Sequence, residues 1–200
     1  MNPRKLSIIV GSLFLIALFS DIISVSISEN KTLWITVMFL DLISGAALIG
    51  IGVTIFPILK QYNKNLARGY TVCRIFEGII FIFMGSFLLF QMTTTGASSP
   101  TTMIDLIYVY IFGLGALILY YLLYQSKLVP RLISIWGFIA IIMLLAANSL
   151  GMLSNNSVMT IFLATPIILN ELFLAVWLIV KGFNPSAIAS GSTKTDINKV

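Results

Sequence analysis

The sequence predicts an all-α polytopic membrane protein with six transmembrane helices and cytoplasmic N and C termini. Of its 200 residues, 58% are hydrophobic and only 10% are charged, whereas a soluble domain averages about 25% charged residues. The mean hydropathy is +1.03. The apolar segments are long enough to cross a bilayer core of about 30 Å as helices, and basic residues recur in alternate loops. We therefore expect an integral membrane protein, most of whose chain does not contact water.

Six apolar segments are separated by short breaks rich in Gly, Pro, Asn, Ser or Lys. In chain order the expected spans are Leu6–Ile27, Leu33–Leu59, Tyr70–Met92, Met103–Tyr124, Leu132–Leu153 and Val158–Val180. Strands of a membrane barrel would alternate apolar and polar residues, which these segments do not. The spans form one transmembrane domain over residues 1–183. The remaining residues 184–200 are rich in Gly, Ser and Thr and are expected to be a flexible cytoplasmic tail.

The basic residues orient the spans, because Lys and Arg favour cytoplasmic loops. They lie before span one, between spans two and three, between spans four and five, and after span six: Arg4, Lys5, Lys60, Lys64, Arg68, Lys127, Arg131, Lys181, Lys194 and Lys199. The opposite loops hold only Lys31. Adding or removing a span would break this alternation. Asp21 interrupts span one, which argues against a cleaved signal peptide.

Composition also limits the partners and the chemistry. The net charge of +5 is explained by loop lysines that face anionic lipid, so we expect a lipid bilayer as partner and no nucleic acid. The sequence has no histidine and a single cysteine, Cys73. We therefore expect no metal site and no cofactor, and no catalytic residue can be assigned. No P-loop or dinucleotide fingerprint is found, so we do not expect an enzyme of a common class.

Acidic residues are concentrated inside the spans. Five of the seven acids lie there, but only Arg74 of the twelve basic residues does. Each charge at a helix centre costs roughly 2.5–3.5 kcal/mol to insert. These side chains must therefore face protein, water or one another.

Depth along the spans divides the polar side chains into two groups. An outer acidic layer is expected from Asp21, Asp41, Asp105, Tyr108 and Asn148. A deeper pocket for a proton, a cation or a small solute is expected from Arg74, Glu77, Asn170 and Glu171.

Helical spacing places the charges on inward-facing stripes. The span-three stripe consists of Arg74, Glu77, Gly78, Phe81 and Gly85, and the span-two stripe of Asp41, Ser44, Gly45, Leu48 and Gly52. Small residues in such stripes let helices approach closely. Arg74 and Glu77 are three residues apart and can pair on one face. One arginine cannot neutralise both Glu77 and Glu171, and an unneutralised intramembrane carboxyl is what a proton relay or cation site uses.

These patterns leave three functional hypotheses. The first is transport or sensing of a proton, cation or small solute through an acid-lined cavity, with Glu77 and Glu171 as carriers. The second is a structural or interaction subunit whose polar residues only lock helices together. The third is a lipid-modifying enzyme, in which the basic loop Lys60–Arg68 would hold a phosphate. Homo-oligomerisation is left open.

Three stretches carry a resemblance to a known family. They are NLARGYTVCRIFEG, GLGALILYYLLYQSKLVPRLISIWG and NELFLAVWLIVKGF. Together they resemble the small multi-pass membrane proteins of the domain of unknown function 4386 family, over roughly Leu6 to Phe183. The resemblance implies six helices and a bacterial cytoplasmic membrane. It implies no activity.

Overall fold

Six long α-helices make up the protein. The computed structural model describes residues 2–28, 30–93, 101–149 and 157–189. The helices are α1 (Pro3–Ile27), α2 (Trp34–Leu59), α3 (Lys64–Thr93), α4 (Thr101–Ser126), α5 (Arg131–Ser149) and α6 (Ser157–Val180), with a 3-10 turn at Lys31–Leu33 before α2. All six are long and apolar enough to cross a membrane, and the described residues contain no strand. The prediction of a six-helix, multi-pass membrane protein is confirmed.

Asparagine caps explain where two of the helices begin. The side chain of Asn2 accepts a hydrogen bond from the Arg4 amide at 2.9 Å, with Pro3 at the first helical position. The side chain of Asn63 accepts hydrogen bonds from the amides of Asn65 and Leu66. Such caps satisfy amide groups that the first turn leaves unpaired. The Asn63 cap lets α3 begin in the polar loop rather than at the start of the apolar run.

The C-terminal end of α6 is followed by chain that folds back onto the bundle. Gly182 has a φ of 80°, a left-handed conformation that glycine adopts without steric cost. Residues 185–189 are helical, and Ala187 is buried. The hydroxyl of Tyr62 donates to the Ala187 carbonyl at 2.7 Å, and burial raises the pKa of Tyr62, so this donor stays protonated. The first residues of the expected flexible tail therefore contact the bundle, and residues 190–200 lie outside the described residues.

The helices are arranged as a closed ring. Each helix packs against the next one along the chain, and α1 also packs against α6. Large apolar side chains such as Phe19, Phe83 and Ile139 are exposed on the outside. Because the first and last helices are neighbours, side chains from several helices can meet on the inner side of the ring.

The inward-facing stripes lie where their spacing predicts. All five residues of the span-three stripe and all five of the span-two stripe are buried. Within them, Gly45 and Gly78 face each other: a Cβ added to Gly78 would lie 2.5 Å from the Gly45 carbonyl oxygen, and one added to Gly45 would lie 2.6 Å from that of Gly78. Close backbone contact therefore joins α2 and α3 and sets the distance from Arg74 to α2.

Replacing Gly78 with alanine is expected to destabilise the bundle. The new methyl group would collide with the Gly45 backbone and with the Ile49 side chain. Overpacking of this kind costs about 1–3 kcal/mol. The measurement is the thermal midpoint of the purified protein in detergent, followed by size-exclusion chromatography after heating.

Gly69→Ala is the matched control on the same helix. A Cβ there would meet only the Ile118 side chain at 3.5 Å, an ordinary contact. Because alanine favours a helix over glycine by about 1 kcal/mol, this variant should be as stable as the parent or more so. Equal midpoints for Gly78→Ala and Gly69→Ala would show that the α2–α3 contact is not close.

Candidate functional site

Arg74 is the centre of the polar interior. Its guanidinium Nη1 lies 2.7 Å from Glu77 Oε2, and its Nε donates to the Tyr70 hydroxyl at 3.0 Å. All three residues lie on one face of α3, since they are spaced by three or four residues. The predicted same-face pair of Arg74 and Glu77 is therefore formed. The side chain of Arg74 is only 2% exposed and that of Glu77 is fully buried.

A second carboxylate approaches Arg74 from a different helix. Oε1 of Glu171, on α6, lies 3.5 Å from Arg74 Nη2. This nitrogen has no hydrogen-bond partner within the described residues. The Glu171 side chain is 14% exposed, whereas that of Glu77 is not exposed at all. Since α3 and α6 are not neighbours in the ring, Glu171 connects the two helices by electrostatic attraction across the interior.

Aromatic rings enclose the guanidinium on its other sides. The centroids of Phe14, Tyr70 and Phe112 lie 5.3, 5.5 and 5.9 Å from Arg74 Cζ. At such distances the negative faces of the rings attract a cation, by about 2 kcal/mol or more where water is excluded. A Cβ added to Gly52 would lie 2.9 Å from Arg74 Cβ. Residues of α1, α2, α4 and α6 thus surround a side chain that originates on α3.

A small cavity lies beside this cluster. Its volume is about 30 Å³, and its lining includes Arg74, Glu171, Asp21 and Tyr108. A site of this size and polarity can hold about one ordered water. The Asp21 carboxylate makes no hydrogen bond or ion pair within the described residues. The structure therefore brings Asp21, expected in the outer layer, to the same cavity as Glu171.

Glu77 does not line that cavity. Glu77 Oε2 binds Arg74, while Oε1 has no hydrogen-bond partner within the described part of the chain. This second oxygen faces α4, since a Cβ added to Gly115 would lie 3.1 Å from it. The two glutamates therefore approach one arginine from different sides, and only Glu171 lines the cavity.

Asp41 has a different environment from Asp21. Its Oδ1 accepts a hydrogen bond of 2.5 Å from the Ser24 hydroxyl, which ties α2 to α1. Ser44, one turn further along α2, donates to the Ala17 carbonyl at 3.3 Å. Asp41 does not line the cavity. These contacts join helices and leave Asp41 with a partner.

Asn170 lies in a second polar cluster. Its Nδ2 donates to the Ile133 carbonyl at 2.9 Å. Its Oδ1, the Tyr120 hydroxyl and the Ser134 hydroxyl are buried and have no hydrogen-bond partner among the described residues. Gly137 lies against the Tyr120 ring and Asn170 Oδ1, with no room for a Cβ. The structure thus places Asn170 between α4, α5 and α6, away from the cavity beside Glu171.

The other predicted site residues do not share one environment. Tyr108 lines the cavity and stacks on Phe112, with ring centroids 6.0 Å apart. Nδ2 of Asn148 is buried with no partner within the described ranges. Asp105 belongs to α4, but its side chain lies outside the described residues.

Two residues of the site were not predicted from the sequence. Tyr70 lies four residues before Arg74, so helical spacing could have identified it as a hydrogen-bond partner. Phe14 lies on α1, and no local pattern indicated that its ring would contact Arg74. Among the described residues, no group of three or more His, Cys, Asp or Glu is placed to hold a metal ion.

Comparison with known proteins identifies a family. The model of the domain of unknown function 4386 family matches residues 6–182. No curated protein and no solved structure gives a significant match. The match spans all six helices, including Arg74, Glu77 and Glu171. The chain therefore belongs to the domain of unknown function 4386 family.

Proposed function

We propose that the protein binds and releases a proton at the cluster of Arg74, Glu77 and Glu171, either to transport protons across the membrane or to sense them. The observation that carries the proposal is the sharing of one buried guanidinium by two carboxylates from different helices. When both are ionised, the cluster keeps one uncompensated negative charge. Uptake of one proton would make it neutral, which a site of low dielectric constant favours.

The size of the cavity favours a proton over other cargoes. A volume of about 30 Å³ accommodates about one water but no organic solute. A metal cation is disfavoured by the fixed positive charge of Arg74, 3.5 Å from Glu171. A proton needs no space of its own and can move between carboxyl groups through a bound water. Asp21 on the cavity wall would then be the acid that exchanges protons with Glu171.

The position of Glu171 would couple proton binding to the shape of the bundle. While ionised, Glu171 is attracted to Arg74 across the ring. Once protonated, it loses most of this attraction, whereas Arg74 and Glu77 remain paired at 2.7 Å. The contact between α3 and α6 would therefore weaken. Either a transport cycle or a pH sensor could use that change.

We further propose that the protein resides in a bacterial cytoplasmic membrane with both termini in the cytoplasm. At one end of the bundle, Arg4 binds the α6 carbonyls of Ile179 and Val180. Lys127, Arg131 and Lys181 share a cleft that includes residues just after α6. Such a basic end supports this orientation, because Lys and Arg are enriched on the cytoplasmic side of membrane proteins.

Infrared spectroscopy can detect the proposed proton directly. Acidification of the protein in lipid, labelled with ¹³C at the glutamate carboxyls, should produce a protonated-carboxyl band that shifts with the label. Both Glu77→Gln and Glu171→Gln should lose this band, because either variant leaves one carboxylate for one guanidinium.

The matched control is Glu29→Gln, which removes the third glutamate of the sequence. It should retain the glutamate band at full intensity. A band that persists unchanged in both glutamine variants would refute proton binding at this cluster.

Stability measurements separate this proposal from a purely structural role. Arg74→Gln leaves two buried carboxylates without a cation, and removal of one partner of a buried pair costs about 3–5 kcal/mol. Glu171→Gln keeps the pair of Arg74 and Glu77 and should cost about 1 kcal/mol or less. The thermal midpoint in detergent is the measurement for both variants. An equal loss in both would favour the alternative, a helix lock in a structural subunit.

A further inference from the structure

We infer that the basic end carries a binding site for the phosphate group of an anionic phospholipid. The site is a cleft of about 470 Å³ between the α4–α5 connection and the chain that follows α6. We call it the basic cleft and define it by Lys127, Arg131, Lys181, Trp177 and Asn184. Its volume is in the range of small-ligand sites, about 300–1,000 Å³. The inference does not depend on the proposed proton site.

The positive charge of the cleft favours binding of an anion. Three of its residues are cationic and none is acidic. Lys127, Arg131 and Lys181 are exposed, and none forms an ion pair within the described residues. The nearest described acids lie inside the bundle, in the spans. Three like charges on one small cleft repel one another, and a bound phosphate would relieve that repulsion.

Backbone geometry builds the cleft. Lys127 has a φ of 55°, which turns the chain sharply after α4. The amide of Asn184 donates to the Leu128 carbonyl at 2.9 Å, so the two walls are tied together. Arg131 is the first residue of α5, where free amide groups and the helix dipole also favour an anion. The Arg131 guanidinium lies 5.1 Å from the Tyr124 ring centroid, which orients its side chain.

An aromatic strip indicates that the phosphate belongs to a lipid. Trp177 of the cleft wall lies 6.5 Å from Phe173, and Phe173 lies 6.3 Å from Trp136, between ring centroids. Trp177 and Phe173 are four residues apart on α6, so Phe173 lies about 6 Å further from the basic end. Trp136 extends the strip sideways onto α5. Phe173 and Trp136 are exposed on the outside of α5 and α6. An acyl chain can pack along this strip while its phosphate occupies the cleft.

The position of the basic cleft at the helix ends suits a lipid phosphate. It is formed by the end of α4, the start of α5 and the end of α6, where three spans leave the hydrocarbon. Basic pockets between helices at this level suit anionic head groups. A soluble phosphate would be recognised by the same three cations but would gain nothing from the aromatic strip.

The test is lipid binding by the full chain in detergent, measured by native mass spectrometry with phosphatidylglycerol, phosphatidylcholine or inorganic phosphate. We expect one phosphatidylglycerol bound in preference to phosphatidylcholine. Each cation that contacts the bound phosphate is expected to contribute about fivefold in affinity. The triple variant Lys127→Gln/Arg131→Gln/Lys181→Gln should therefore weaken binding by about 100-fold.

The matched control is Lys60→Gln/Lys64→Gln/Arg68→Gln, which removes the same charge from the basic loop before and at the start of α3. It should bind phosphatidylglycerol as the parent does. Equal loss in both triple variants, or none in the cleft variant, would overturn the site. Displacement of the lipid by an equal concentration of inorganic phosphate would overturn its assignment to a lipid.

Single variants keep the test decisive if the cleft triple variant does not fold. Lys127→Gln and Lys181→Gln each change one exposed side chain and should each weaken binding about fivefold. Unchanged affinity in both single variants would overturn the inference.

Discussion

A guanidinium buried away from bulk water constrains the whole interior. A buried cation is tolerated only if neighbouring groups replace its hydration, and no single helix can supply them all. Arg74 takes a carboxylate and a hydroxyl from its own helix, ring faces from α1 and α4, and a second carboxylate from α6. Gly52 on α2 leaves space for its Cβ. The closed ring of helices is the arrangement that brings all of these groups to one point.

The sequence was sufficient to predict features that depend on a single helix. Hydropathy identified the six spans, and helical spacing identified the buried stripes and the pair of Arg74 and Glu77. Which helix meets Arg74 from the far side depends on how helices pack, and one sequence does not contain that information. Asn170 and Glu171 show the difficulty. As consecutive residues of a helix they point about 100° apart, so only one could face Arg74, and local patterns did not indicate which.

Depth along a span does not by itself decide which acids meet. Counting residues along straight spans put Asp21 in an outer layer, apart from Glu171. In the structure both side chains line one cavity, because α1 packs beside α6. Asp41, assigned to the same outer layer, pairs instead with Ser24. Residues at similar depth thus have different roles, according to which neighbouring helix they face.

The four described acidic side chains differ in how completely hydrogen bonds and ion pairs compensate their carboxylates. Asp41 has a short hydrogen bond, Glu77 a close ion pair, and Glu171 a longer ion pair, while Asp21 makes neither contact within the described residues. A lock between helices would gain most from complete pairing, since each unmatched buried charge costs free energy. Here the least satisfied carboxyls, Glu171 and Asp21, are the two on the cavity. A carboxyl group that exchanges a proton needs incomplete pairing and space for a water beside it. This is the reason to favour proton binding over a purely structural role.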